Sequence, residues 1–172
     1  LLELTNRRTT EKIRVIAHDQ HVVRVDRETA QPLSDGEVSQ LIAALTKLSP
    51  TLDAIILQDY NKGVLTSSVI ESALAQAQMR KIPAAVDPKF DNFFSYGGSH
   101  LFKPNVREVE RALGLRLDSE PALFKAADLL REKLDPDVLM ITRGEKGMAL
   151  FARDGLHTIP THARDVHDVS GA

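Results

Sequence analysis

Short apolar runs alternate along this chain with longer stretches that repeat a hydrophobic residue every three or four positions. Ala54-Ile55-Ile56-Leu57, Pro83-Ala84-Ala85-Val86, His100-Leu101-Phe102 and Val138-Leu139-Met140-Ile141 have the length and composition of short buried strands. Between them, Ile70, Leu74 and Ala77 predict a helix over about 66–80, and Val106, Val109 and Leu113 a second one stopped by Gly114. Ser119 caps a third, which carries Leu123, Ala127, Leu130 and Leu134. Ahead of the first strand, Ser34 and Glu37 form a capping box for a helix with Val38, Leu41, Ile42, Leu45 and Leu48, ended by Ser49-Pro50. Strands and helices that alternate in this way build a mostly parallel sheet with helices on both faces.

Two segments break the alternation. Residues 10–26 hold two β-rich runs, Lys12–Ile16 and Val22–Asp26, joined by polar residues 17–21, and predict a hairpin. Ala149-Leu150-Phe151 and Leu156–Ile159 predict another, turning at Asp154-Gly155.

Composition narrows the class. The 172 residues, 42% of them hydrophobic, suffice for one domain with a real core. A net charge of −2 gives no electrostatic case for a nucleic-acid or membrane partner. Cysteine is absent, which excludes disulfides and thiolate metal sites and fits the cytoplasm. No apolar run approaches the ~20 residues of a membrane span. The chain opens on Leu1-Leu2-Glu3-Leu4, without an initiator Met or a signal-peptide layout, and both ends read as cut from a larger domain.

Open parallel sheets bind ligands beyond the carboxyl ends of their strands. Each of the four predicted strands delivers polar or glycine-bearing residues there: Asp59-Tyr60-Asn61-Lys62-Gly63, Asp87-Pro88-Lys89, Lys103-Pro104-Asn105-Val106-Arg107-Glu108 and Thr142-Arg143-Gly144-Glu145-Lys146-Gly147. Lysines and carboxylates around one cleft suit a phosphorylated ligand with a divalent cation. The terminal Asp168-Val169-Ser170-Gly171-Ala172 reads as the approach to a helix whose N–H groups and dipole favour an anion. Neither Gly-x-x-x-x-Gly-Lys-Ser/Thr nor Gly-x-Gly-x-x-Gly occurs, so P-loop and Rossmann cofactor sites are not expected. Asp165, His167 and Asp168 alternate sides of an extended run, a poor arrangement for a metal, and the six histidines show no metal-binding spacing.

Together these residues resemble the ribokinase-like carbohydrate and nucleoside kinases. Asn105-x-x-Glu108 matches that family's Asn-x-x-Glu motif, Thr142-x-Gly144-x-x-Gly147 its nucleotide-side turn, and residues 168–172 its anion-hole signature as far as Ala172. Within the family the chain is most similar to the kinases of D-glycero-β-D-manno-heptose 7-phosphate. Thr9-Thr10-x-Lys12-x-Arg14-Val15-Ile16-Ala17, Gln20 and Arg24-x-Asp26 resemble their lid hairpin. Asp59-Tyr60-x-Lys62-Gly63, Asp87-Pro88-Lys89 and Arg143-x-Glu145-x-Gly147-Met148 resemble their central loops. Ser170 stands where those enzymes usually have Thr, and both keep the hydroxyl.

The resemblance implies a three-layer α/β/α domain, with residues 9–27 as a small β lid and 34–172 as the core. It implies ATP and Mg²⁺ as cofactors and a sugar phosphate as substrate, phosphorylated at O1, with no nucleic acid and no membrane. The same chain often continues into an adenylyltransferase domain. Asn105 and Glu108 are expected to act on magnesium through water, and with Thr142, Gly144 and Gly147 to face the nucleotide. Asp59, Lys62, Asp87, Lys89 and the lid arginines Arg14 and Arg24 are the candidates for substrate. Gly171 and Ala172 are expected in the anion hole, with the catalytic base two residues beyond Ala172, so that residues 1–172 alone are expected to be inactive. Apolar residues on the hairpin could pair two subunits. The alternatives are a kinase of another sugar or nucleoside, or a non-catalytic nucleotide-binding module. An intact Gly-Asp after Ala172 would favour an enzyme.

Overall fold

The computed structural model describes residues 2–4, 7–17 and 20–161. The hairpin forms as predicted, from β1 (Glu11–Ala17) and β2 (Gln20–Arg27), paired antiparallel in a sheet of their own. Ile13 lies opposite Val25 and Val15 opposite Val23, so one face of this ribbon is apolar, and Val15, Val23 and Val25 are exposed.

The remaining elements are α1 (Asp35–Leu48), β3 (Ile55–Gln58), α2 (Ser67–Arg80), β4 (Ala84–Asp87), β5 (Leu101–Phe102), α3 (Val106–Leu113), α4 (Glu120–Leu134), β6 (Val138–Thr142), β7 (Met148–Ala152) and β8 (Gly155–Ile159). The predicted caps are all in place. Ser34 and Glu37 close a reciprocal box on α1, Ser119 accepts from Ala122, and Gly114 ends α3 in the left-handed conformation. Past α1 the chain keeps turning through a short 3₁₀ segment, Ser49–Thr51, rather than stopping at Ser49.

β3 to β8 form one sheet in sequential order. β3, β4, β5 and β6 run parallel, and the second hairpin adds β7 and β8 antiparallel at the edge. Register sets the core. Leu57, Val86, Phe102, Leu139 and Phe151 stand side by side across five strands, and all are buried. Onto this row α2 lays Ile70, Ala73 and Ala77, α3 lays Val109, and α4 lays Leu123, Ala127, Leu130 and Leu134. Each buried Val, Ile, Leu or Phe among these contributes roughly 1.5–3 kcal/mol, and each alanine less.

A sequential strand order joined by right-handed crossovers sends every crossover helix to the same face. Accordingly, alternate positions on the opposite face are less covered, and Ile56 is 73% exposed. The stretch between β4 and β5 has no regular element, yet Phe93 and Tyr96 within it are fully buried against Phe102.

Candidate functional site

The polar ends of the four parallel strands meet on one rim, as the sequence predicted. At the end of β3, Asp59 is only 3% exposed, and internal donors occupy its carboxylate. The Asn61 backbone N–H donates to Oδ1 at 2.8 Å, while Tyr96 Oη and Asn92 Nδ2 donate to Oδ2 at 2.8 and 3.1 Å. Burial, reinforced by the bond to Asp59, pushes the Tyr96 phenol well above its ordinary pKa, so it stays a donor. Asp59 therefore shapes the turn that carries Tyr60, Asn61 and Lys62, with Asn61 at φ 52°.

Asp87, at the end of β4, is the next carboxylate. Its Oδ2 accepts from Gln58 Nε2 at 2.7 Å and its Oδ1 lies 3.0 Å from Lys103 Nζ. Lys89 pairs with Glu108 Oε1. Burial works against the charge on Lys89, but the bond to Glu108 and the nearby Asp87 and Asp59 outweigh it and raise its pKa above the usual lysine value.

Glu108 also serves the start of α3. Its Oε2 accepts from the Asn105 N–H at 2.9 Å, and Asn105 Oδ1 accepts from the Glu108 N–H at 2.9 Å, a complete capping box. Asn105 is bridged in parallel fashion to Thr142, which brings the two predicted nucleotide-side residues together. In the turn that follows, Gly144 has φ 61° and open space around it. Gly147 has φ 76°, and a Cβ there would run into the backbone of Ile159 and Pro160. Its lack of a side chain thus has a structural cause at the β7–β8 pairing.

Between the lid and the rim lies a cavity of about 570 Å³, lined by Thr10, Lys12, Glu28, Tyr60, Lys62 and Val64 among others. Lys62 pairs with Glu28 at the foot of the lid. Arg14 and Arg24 do not line this cavity; they face each other in the ladder, and Arg24 is bound to Asp26 on the lid itself. Gly171 and Ala172, with Asp165, His167 and Asp168, lie outside the described residues.

Several residues of the site escaped sequence reasoning. Lys103 is not one of them, since it stands in the rim run read from the sequence and only its pairing with Asp87 is new. Gln58, Asn92 and Tyr96 follow no motif. Arg7 donates to the Thr29 and Gln31 carbonyls at 3.3 and 2.8 Å and to that of Lys62, tying the returning leg of the lid to the rim.

Among the described residues no three His, Asp or Glu side chains converge to hold a metal directly. Two hard-oxygen carboxylates, each balanced by a lysine, fit instead a hydrated Mg²⁺ approached through water. The rim can therefore present both signs of charge to a phosphorylated ligand.

Residues 3–172 match the model of the pfkB family of carbohydrate kinases, and the chain belongs to that family. Its relatives are narrower in kind. It is 41% identical over 174 residues to the bifunctional protein HldE of Geobacter metallireducens, covering 100% of this chain and 35% of that protein. The bifunctional protein HldE of Pelobacter propionicus is 46% identical over 169 residues, 96% of this chain and 34% of that protein. The chain thus spans about a third of these relatives.

Among solved structures, phosphofructokinase-2 from Escherichia coli in complex with potassium superposes with a TM-score of 0.70 at 16% identity, over 92% of this chain and 51% of that one. Arabidopsis thaliana ribokinase complexed with ribose and ATP gives 0.62 at 14% identity, over 94% and 51%. The fold is ribokinase-like.

Proposed function

We propose that the protein transfers the γ-phosphoryl group of ATP to O1 of D-glycero-β-D-manno-heptose 7-phosphate, giving the 1,7-bisphosphate for lipopolysaccharide core synthesis. The observation that carries this reading is the rim of paired lysines and carboxylates at the ends of β3, β4 and β5, Lys62 with Glu28, Lys89 with Glu108 and Lys103 with Asp87. The choice of sugar rests on the likeness to the HldE proteins. Catalysis in such a site is mostly positioning plus electrostatics.

Glu108 and Asp87 would hold the water shell of Mg²⁺, which when bound neutralises phosphate charge. Thr142, Gly144 and the Asn105 cap would face the nucleotide. Lys89 and Lys103 balance the carboxylates and stand ready to meet phosphate oxygens. The N–H groups of Gly171 and Ala172 would hold the charge of the group in transfer. A base beyond Ala172 would take the sugar proton, a role that typically contributes about 10²–10⁴-fold.

To test this, the full-length protein is assayed with ATP and Mg²⁺ against heptose 7-phosphate, fructose 6-phosphate, ribose and a nucleoside. The highest kcat/KM is expected for heptose 7-phosphate. A clear preference for another acceptor would overturn the choice of sugar, and no turnover of any would overturn the kinase reading.

The reading places the protein in the cytoplasm, where ATP is available. Among the described residues no helix is long and apolar enough to cross a membrane. It also pairs two copies through the exposed Val15, Val23 and Val25 face of the lid. Val23→Asp should then shift sedimentation from dimer to monomer, and an unchanged profile would count against pairing there.

A further inference from the structure

We propose that Lys12 is the cation that binds the phosphate group the sugar already carries, with the Tyr60 ring beside it as a wall for the carbon skeleton. The inference rests on the kinase reading above and assigns the far end of that substrate.

Charge matching singles out Lys12. Of the lysines on the cleft, Lys62 is paired with Glu28, Lys89 with Glu108 and Lys103 with Asp87. Lys12 has no ion-pair partner among the described residues. The carboxylate facing it across the ladder is Asp26, and both Asp26 oxygens are taken by Arg24, at 3.0 and 2.8 Å. Arg24 thus holds the Asp26 carboxylate directly, and Lys12 acts on it only through space. An ammonium beside a cavity without a direct ion pair is better prepared for an incoming dianion than a paired one, because no existing pair must break.

Geometry gives the direction. Lys12 and Thr10 come from the lid side of the cavity, while Gln58, on its opposite side, is hydrogen-bonded to Asp87. The hydroxyl to be phosphorylated must face Asp87 and Glu108, so the other end of the sugar points to the lid. Tyr60 is 59% exposed, and Lys12 Nζ lies 6.0 Å from its ring centre. With Ile56 and Val64 it offers apolar surface suited to the C–H faces of a sugar.

The test uses full-length wild type, Lys12→Ala and Lys12→Arg, with Lys125→Ala on the outer surface of α4 as a charge control. Each is titrated calorimetrically with heptose 7-phosphate and with the same heptose lacking the phosphate, and assayed with both. Losing one charge-assisted contact should weaken the phosphorylated sugar about 10- to 100-fold in Lys12→Ala, mainly through Kd and KM. The dephosphorylated sugar should change less than about threefold, Lys12→Arg should recover part of the loss, and the control should match wild type. Equal losses for both sugars, or no loss for either, would overturn the assignment. A wild type that binds heptose 7-phosphate without turning it over would defeat the kinase reading alone, since the binding comparison still decides Lys12. A wild type that binds the two sugars equally would overturn the phosphate site itself.

Discussion

Glu108→Gln is expected to leave the fold intact and to raise the magnesium requirement about 10- to 100-fold, with a matching fall in kcat at fixed magnesium. The two oxygens of Glu108 do different work. Oε2 closes the capping box on the Asn105 N–H, and glutamine can do the same, so the start of α3 should survive. Oε1 faces Lys89 and the cleft, and there glutamine loses the charge that balances Lys89 and attracts the hydrated cation. Glu108→Ala loses both functions. It should show the same magnesium defect plus about 1 kcal/mol of instability from the missing cap. Measuring turnover against magnesium concentration beside thermal melting separates the roles. If Glu108→Gln keeps its magnesium dependence, Glu108 is a capping residue and no more.

That double role shows how far the sequence could be read. Asn105-x-x-Glu108 was visible both as a capping box and as a family motif, because both readings depend on a three-residue spacing. Ser34 with Glu37 and the Ser119 cap were legible for the same local reason. The parallel strands and both hairpins were legible from their periodicity.

What depends on register or on distant packing was not. Nothing local in the chain says that Lys62 reaches the Glu28 carboxylate 34 residues away. Tyr96 and Phe93 lie in a turn-rich stretch without periodicity, so their burial was hidden although they are among the largest fully buried side chains.

Gly63→Ala is expected to cost several kcal/mol and to loosen the lid from the rim. Gly63 sits at φ 71°, a conformation that L side chains adopt with strain of roughly 1–3 kcal/mol. Space is the second cost. An added Cβ would meet the Gln31 carbonyl and come within 2.7 Å of Pro32 Cα, backbone atoms that cannot swing aside. This close approach is where the chain returns from β2. The Leu33 N–H donates to the Gly63 carbonyl at 2.9 Å, and Arg7 bridges the Gln31 and Lys62 carbonyls beside it. Pushing the two segments apart should strain all of these contacts and widen the cavity that Lys12, Tyr60 and Lys62 line. Glycines with room around them provide the comparison. Gly144→Ala, at φ 61° with nothing within 4 Å, should carry only the strain cost, and Gly36→Ala in the first turn of α1 should be neutral or slightly stabilising. Chemical denaturation of the three variants should therefore rank them Gly63, Gly144, Gly36 in order of loss. The Gly63 variant should in addition raise KM for the sugar phosphate more than KM for ATP. A Gly63→Ala protein as stable as Gly36→Ala would mean that the lid root does not approach the rim as closely as Gly63 requires.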